Sequence, residues 1–239
     1  MSARSPGAST EPRPEFGPDS VPAGGAVLAV DKPVGPTSHD IVARARRALR
    51  TKRVGHTGTL DPLASGLLLL CVGPATRLSQ FLVGRDKRYT TTVRFGVETD
   101  SLDAEGEVVR EDDAWRDLDE QRVREAVDAL EGQHDQVPPA FSAKKIDGEP
   151  AHRRIRRGEE VRLDAVPVTI LSAELIELSL PDVRLALHVS SGTFVRAIAR
   201  DLAAALGTSG HVTELRRTAV GSVRLDDAVT LDVLESGDA

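Results

Sequence analysis

Cysteine occurs once in the 239 residues of this chain. The lone Cys71 excludes a disulfide within one chain and any zinc site built on several thiolates. It sits in the apolar run Leu67-Leu68-Leu69-Leu70-Cys71-Val72, where a thiol is expected to be buried and inert. Aromatic residues make up only 3% of the chain, and Tyr89 is its one tyrosine. No histidine stands at metal-ligand spacing from His56, so no metal is expected there. No apolar run approaches the roughly 20 residues that cross a bilayer, so no membrane partner is expected. The chain does not open on a basic segment followed by an apolar stretch, the pattern of a secretory signal. These absences lead to the expectation of a soluble cytoplasmic protein.

Net charge is -6, which taken alone argues against a nucleic-acid partner. The distribution of charge argues the other way. Arg44, Arg46, Arg47, Arg50, Lys52 and Arg53 form a basic run without an acid. A second basic cluster holds Lys144, Lys145, Arg153, Arg154, Arg156, Arg157 and Arg162. Between Glu98 and Asp135, fifteen acids stand against four arginines. Such polarity allows the basic segments to meet a phosphate backbone while the acidic segment faces away. Solvated helix faces are the plain alternative for either cluster.

The first 25 residues are rich in Pro, Gly, Ser and Ala, show no hydrophobic period and read as a disordered tail. A strand is expected at Ala26–Val30. Thr37 or Ser38 caps a helix with Ile41, Ala45 and Leu49 inward and Arg46, Arg47 and Arg50 away from that face. A short helix is expected from Thr76 to Val83. From Arg88 to Phe95 the chain alternates, with Tyr89, Thr91, Val93 and Phe95 on one side of a half-buried strand. Residues 119–130 read as a helix and 136–150 as a loop. Val166–Leu178 and Val183–Val189 read as a β-hairpin. Ser190-Ser191-Gly192-Thr193 is expected to cap a helix from Phe194 to Leu206, and two β segments flank Gly221. Strands and helices mix without a regular βαβ rhythm, which points to an α+β fold.

Residues 55–66, Gly-His-Thr-Gly-Thr-Leu-Asp-Pro-Leu-Ala-Ser-Gly, are the densest cluster of chemistry. The glycines permit bending and close approach, the apolar run behind them is an anchor, and Asp61 is the only acid in the loop. By themselves Asp61-Pro62 could simply mark a turn. A lone tyrosine in an aromatic-poor protein points to a position that needs both a ring and a hydroxyl.

The segment Gly55-His56-Thr57-Gly58-Thr59-Leu60-Asp61-Pro62 resembles the signature of the TruB family of tRNA pseudouridine synthases. Further motifs follow in the family's order: Asp31-Lys32-Pro33 with Gly35 and Thr37-Ser38, then Asp86-Lys87-Arg88-Tyr89, Thr99-Asp100-Ser101-Leu102-Asp103, Ser142-Ala143-Lys144-Lys145, Gly192-Thr193-Phe194-Val195-Arg196, and Gly210-His211-Val212 through Leu215-Arg216-Arg217. The likeness runs over about residues 26–225. It implies the pseudouridine synthase fold, a mixed and mainly antiparallel sheet with flanking helices and a central RNA-binding cleft. It places the catalytic domain at 26–228. It also implies conversion of uridine 55 in the TΨC loop of tRNA to pseudouridine, without metal or organic cofactor. The sequence does not reveal oligomeric state, and a monomer is the default expectation.

By this resemblance Asp61 is the catalytic aspartate, Arg196 the arginine paired with it, and Tyr89 the aromatic residue against the target base. His56 helps fill the space left by the flipped nucleotide, and Leu215 contacts the uracil through its backbone. Lys32 and Lys87 take structural or positioning roles; with five lysines against twenty-six arginines, the choice of lysine there carries some weight. Arg46, Arg47, Arg50, Lys52, Arg53, Arg153, Arg154, Arg156 and Arg157 are the expected contacts to RNA backbone. Phe194 departs from the family's frequent tyrosine, keeping a ring and losing a hydroxyl. Bacterial members usually continue into a small PUA-like domain, and residues 229–239 read instead as a polar tail.

The chemistry explains what such a site needs. A stacked uridine must be flipped out to be reached. An ionised carboxylate must then act at the nucleotide, whether by attack on C1′, by addition to the base or by abstraction of the 2′ proton. A second reading is a tRNA-folding chaperone of the same fold with catalysis secondary. A hydrolase using Asp61 and His56 fits less well, because no glycine-flanked serine or metal cluster accompanies them.

Overall fold

The computed structural model describes residues 21–141, 145–146, 149–150, 157 and 163–236. Most of the expected N-terminal tail lies outside the described residues, as do Ser142, Ala143, Lys144, Arg153, Arg154, Arg156 and Arg162. The chain enters the fold through β1 (Ala26–Lys32) and α1 (Ser38–Ala48). Thr37 caps α1 as its type predicts: its hydroxyl accepts from the Asp40 N–H at 3.1 Å, and the Asp40 carboxylate accepts from the Thr37 N–H at 2.8 Å. Ile41, Val42 and Ala45 turn inward, while Arg46, Arg47 and Arg50 are exposed.

β2 (Val54–His56) and β3 (Ser65–Val72) are antiparallel partners, and residues 57–64 between them form the glycine-rich loop. The apolar run of β3 has a simple cause, since the strand is buried on both faces. Leu68, Leu70 and Val72 face the main core, whereas Leu67 and Leu69 pack with Val220 in a smaller one. A 3₁₀ turn (Gly73–Leu78) leads into the short α2 (Ser79–Val83). β4 (Lys87–Phe95) then buries Lys87, Tyr89, Thr91, Val93 and Phe95, the alternation read from its sequence. β5 (Val97–Thr99) and β6 (Val108–Glu111) make a separate small sheet.

Next come α3 (Glu120–Asp128), capped by the Asp119 carboxylate, and β7 (Gly132–Gln136). The two-residue strands β8 (Lys145–Ile146) and β9 (Glu149–Pro150) pair with each other. They are followed by β10 (Val166–Ser179), β11 (Asp182–Val189), α4 (Val195–Ala205), β12 (Gly210–Val220), β13 (Val223–Arg224), β14 (Val229–Thr230) and α5 (Leu231–Ser236). The large sheet runs β14-β1-β3-β12-β4-β11-β10-β7, with β2 on β3 and β13 on β12. Among the described strands of this sheet the β1–β14 and β3–β12 pairs are the parallel ones, so the mixed, mainly antiparallel α+β architecture is as expected. Among the described residues no helix is long and apolar enough to cross a membrane.

Three local readings are corrected. Residues 190–193 do not cap α4. Its N-cap is Phe194, which makes no side-chain cap bond of its own. The distant Gln136 amide brackets Phe194 instead, accepting from its N–H at 2.8 Å and donating to its carbonyl at 3.2 Å. Residues 229–236 are not a polar tail. β14 extends the sheet beside β1, and α5 buries Leu231 and Leu234, three residues apart on one face, against α1 and β1. The stretch from residue 136 is not all loop, because Gln136 closes β7.

Where β3 meets β12, Arg216 and Arg217 pair with Ser65 and Gly66. Gly66 has φ +98°, and a Cβ there would stand 2.3 Å from the Arg217 carbonyl oxygen. Both the backbone conformation and the close approach demand glycine. Gly66→Ala is therefore expected to lower unfolding free energy by at least about 2 kcal/mol, read as a lower urea midpoint at unchanged slope.

Candidate active site

One cleft of about 550 Å³ opens beside the glycine-rich loop, within the roughly 300–1,000 Å³ typical of ligand sites. It is lined by Asp61, Lys87, Tyr89, Phe194, Arg196 and Leu215, all candidate site residues of the sequence, and by Arg217, to which the sequence assigns a place in a motif but no role. Four separate elements bring these residues together. Asp61 comes from the loop, Tyr89 from β4, Phe194 and Arg196 from the start of α4, and Leu215 and Arg217 from β12. The register explains the grouping on the sheet: Leu215 lies opposite Thr91 and Arg217 opposite Tyr89, so alternate residues of both strands face the cleft.

Asp61 and Arg196 form an ion pair at 2.9 Å from Oδ2 to Nη2. The Asp61 side chain is 39% exposed and its partner only 7%, so the acid reaches into the cleft from a buried cation. Arg196 is held from several sides. It donates from Nη1 to the Ser101 carbonyl at 2.6 Å and from Nη2 to the Phe141 carbonyl at 3.0 Å, and Nη1 lies 3.3 Å from Asp103 Oδ2. Asp103 is itself buried at 5% side-chain exposure. Its motif had been noted in the sequence but its contact had not, because nothing in the spacing links residue 103 to residue 196. A buried guanidinium with this many partners has one orientation, and it presents one edge to Asp61.

The acidic segment does not all face away from the site, as its composition had suggested. Asp103 and Glu105 lie beside Asp61, and the Glu105 carboxyl is pushed up by burial and then by the charges of Asp103 and Asp61. A turn, Leu102 with φ +62°, carries the chain back toward the site at this point.

Both lysines are buried and bind backbone. Lys32 is fully buried and donates to the carbonyls of Pro33 at 2.9 Å, Pro62 at 3.4 Å and Ala64 at 2.5 Å. It thus ties β1 to the residues just after Asp61. Lys87 donates to the carbonyls of Val83 and Arg85 and to the Ser191 hydroxyl, joining α2 to the segment before α4. Burial lowers both ammonium groups to about 8, against the opposing pull of Asp61 on Lys32 and of Asp86 on Lys87. The Asp86 of the same motif pairs with His188 on β11, which holds its carboxyl below the usual range.

His56 is not among the residues lining the cleft. Its ring stands edge-on to His39 at 5.3 Å, and its Nδ1 accepts from the Gly58 N–H at 3.3 Å. Burial, His39 and Arg217 all favour its neutral form. Of the expected RNA contacts, Arg46, Arg47, Arg50, Lys52, Arg53 and Arg157 are exposed. Arg46 also donates to the Val54 carbonyl at 2.8 Å, which ties the basic run to β2 and so to the loop. Among the described residues no group of three or more His, Cys, Asp or Glu is placed to hold a metal.

Replacing Lys32 by Met keeps most of its volume and removes the ammonium donor from the carbonyls of Pro33, Pro62 and Ala64, of which Pro62 keeps the Gly35 N–H at 2.9 Å. Lys32→Met is expected to cost about 2–3 kcal/mol in chemical denaturation.

Residues 46–195 match the TruB family pseudouridylate synthase N-terminal domain, and residues 196–237 match the tRNA pseudouridylate synthase B C-terminal domain. The chain is similar to tRNA pseudouridine synthase B of Corynebacterium jeikeium strain K411, 48% identical over 217 residues, covering 87% of this chain and 70% of that protein. It is 49% identical over 214 residues to the protein of the same name from Arthrobacter sp. strain FB24, again covering 87% and 70%. Among solved structures it is similar to a chain of a Cbf5-Nop10-Gar1 complex, with a TM-score of 0.69 and 29% identity over 94% of this chain and 59% of that one. The chain belongs to the TruB family of pseudouridylate synthases.

Proposed function

We propose that this TruB-family pseudouridine synthase, an isomerase, converts uridine 55 in the TΨC loop of tRNA to pseudouridine. The observation that carries the reading is the convergence of Asp61, Arg196 and Tyr89, 135 residues apart at the extremes, on one cleft with Asp61 and Arg196 in a 2.9 Å ion pair. The tRNA substrate is inferred from the names of the 48–49% identical relatives.

The proposed cycle follows from the geometry. The target uridine leaves its stack and enters the cleft, where the Tyr89 ring forms a wall for the base. The Asp61 carboxylate, aimed by Arg196, meets the sugar, where it can bond to C1′ or take the 2′ proton. The C1′–N1 bond breaks, the uracil turns, and C5 joins C1′. The C5 proton then leaves and N1 takes up a proton, while Asp61 is displaced from C1′ or returns the 2′ proton, so uridine and product are isomers and no oxidant or reductant is consumed. The Leu215 backbone and the Phe194 ring border the base. Phe194 contributes its ring alone, and its backbone is fixed by Gln136.

Outside the cleft, His56 is assigned to the gap that the flipped nucleotide leaves in the RNA. Its neutral ring, ahead of the loop, suits stacking. Lys32 and Lys87 are assigned to positioning through the backbone bonds that they make. The basic run from Arg46 to Arg53 and the cluster from Arg153 to Arg157 are assigned to tRNA backbone. The protein acts as a monomer in the cytoplasm, where its substrate is, and the reaction draws on side chains alone.

Incubation with unmodified tRNA transcript and nucleoside analysis tests the assignment. Wild type is expected to form pseudouridine at position 55, and Asp61→Asn to bind the transcript without forming it. Comparable product from Asp61→Asn would remove Asp61 from the chemistry. Binding by wild type without any product would favour the chaperone reading. Binding should also weaken steeply with salt. Neutralising Arg46, Arg47 and Arg50 together should make the slope of log K against log salt shallower by about 2–3. An unchanged slope would place the tRNA elsewhere.

A further inference from the structure

Arg217 is a buried cation on the cleft, and among the described residues no carboxylate lies within ion-pair distance of it. It is 2% exposed yet lines the cleft. Its Nε donates to the Leu67 carbonyl at 2.7 Å and its Nη2 to the Gly58 carbonyl at 3.2 Å. Both partners are neutral, and among the described residues Arg217 takes part in no ion pair. Arg196 shows the contrast, with two carboxylates on its guanidinium. Buried cations normally hold a paired anion, because desolvation is otherwise uncompensated. A guanidinium has five N–H donors, and two of those on Arg217 are accounted for by these carbonyls. The strand register sets Arg217 directly opposite Tyr89, so its charge lies at the wall assigned to the base.

We propose that Arg217 is a catalytic residue that stabilises the negative charge on the uracil ring when the C1′–N1 bond breaks. The inference rests on the isomerase reading and deepens it. When the bond breaks, its electron pair goes to N1, and uracil departs as an anion with charge shared among N1, O2 and O4. Asp61 meets the electron deficit left on the sugar, by bonding to C1′ or by taking the 2′ proton. The charge on the ring is consumed when C5 bonds to C1′, as Asp61 is displaced or the 2′ proton is returned; the C5 proton then leaves and N1 takes one up. A fixed donor that is already desolvated acts most strongly on a charge that exists only during the reaction. Before the bond breaks the uracil is neutral, so Arg217 has its anionic partner only in the transition state and intermediate.

The same cation also raises the cost of protonating its neighbours. It lowers the Lys32, Lys87 and His56 proton affinities, consistent with a positive field across this wall. The carbonyl bonds also brace the loop between Gly58 and Asp61, and the experiment separates this effect from charge stabilisation.

Single-turnover loss of N-linked nucleoside is measured on two tRNAs, one with uridine and one with 5-fluorouridine at the target position. Fluorine withdraws electrons and makes the departing ring a weaker base that needs less help. Arg217→Gln is expected to slow the uridine reaction about 100-fold with tRNA affinity unchanged, and to slow the 5-fluorouridine reaction at least about tenfold less than that. The comparison is a ratio within one protein preparation, so a partly folded sample does not alter it. Arg217→Lys, which retains the cation, serves if the glutamine variant does not fold, and is expected to show the same ordering with smaller losses. Equal slowing on both RNAs would overturn the proposal and leave Arg217 as a brace for the loop. A wild-type protein inactive on both would overturn the isomerase reading itself.

Discussion

The Arg196 guanidinium is the interaction on which the site depends. It is buried at the first turn of α4, and it meets two carboxylates and two carbonyls from three different parts of the chain. Burying such a cation costs several kcal/mol, which only a full set of partners offsets, and removing one partner of a buried pair costs about 3–5 kcal/mol. The loop with Asp61, the turn with Ser101 and Asp103, and the segment at Phe141 are therefore fastened to one group. The loop cannot move far without leaving a buried charge unmatched. Stability and the direction of Asp61 are set by the same contacts.

A second set of contacts works on the backbone. Lys32 holds the carbonyls that follow Asp61, and Arg217 holds the carbonyl of Gly58 ahead of it. A glycine-rich loop is ordinarily adaptable. Here its two ends are bound by buried cations and its acid by a third. In the proposed reaction these cations stabilise an anion as it forms, whereas the neutral ground-state base gains less. This difference is what rate acceleration requires.

Much of the fold was legible because local rules and the fold agreed. The alternation of Tyr89, Thr91, Val93 and Phe95, the Thr37 cap and the apolar run of β3 each follow from short stretches of sequence. What could not be read depends on long-range partners. Gln136 brackets the start of α4 from 58 residues away, where the nearby serines and threonine had looked like the cap. The apolar pair Leu231 and Leu234 turns an outwardly polar segment into a docked helix. At the site, the ordered motifs pointed to Asp61, Tyr89 and Arg196, and the fold sets all three on one cleft. The bonds of Asp103 and Arg217 had no local signal, since an acid in an acidic stretch and an arginine on a strand are both commonplace.

The central claim is that the Asp61–Arg196 cleft receives the flipped target nucleotide. A crystal structure of the protein bound to a TΨC stem-loop RNA tests it most directly. The account predicts the target uridine out of its stack, its sugar against the Asp61 carboxylate and its ring between Tyr89 and the Arg217 wall. A target uridine that stays stacked, or that lies in another part of the protein with Asp61 facing solvent, would contradict it.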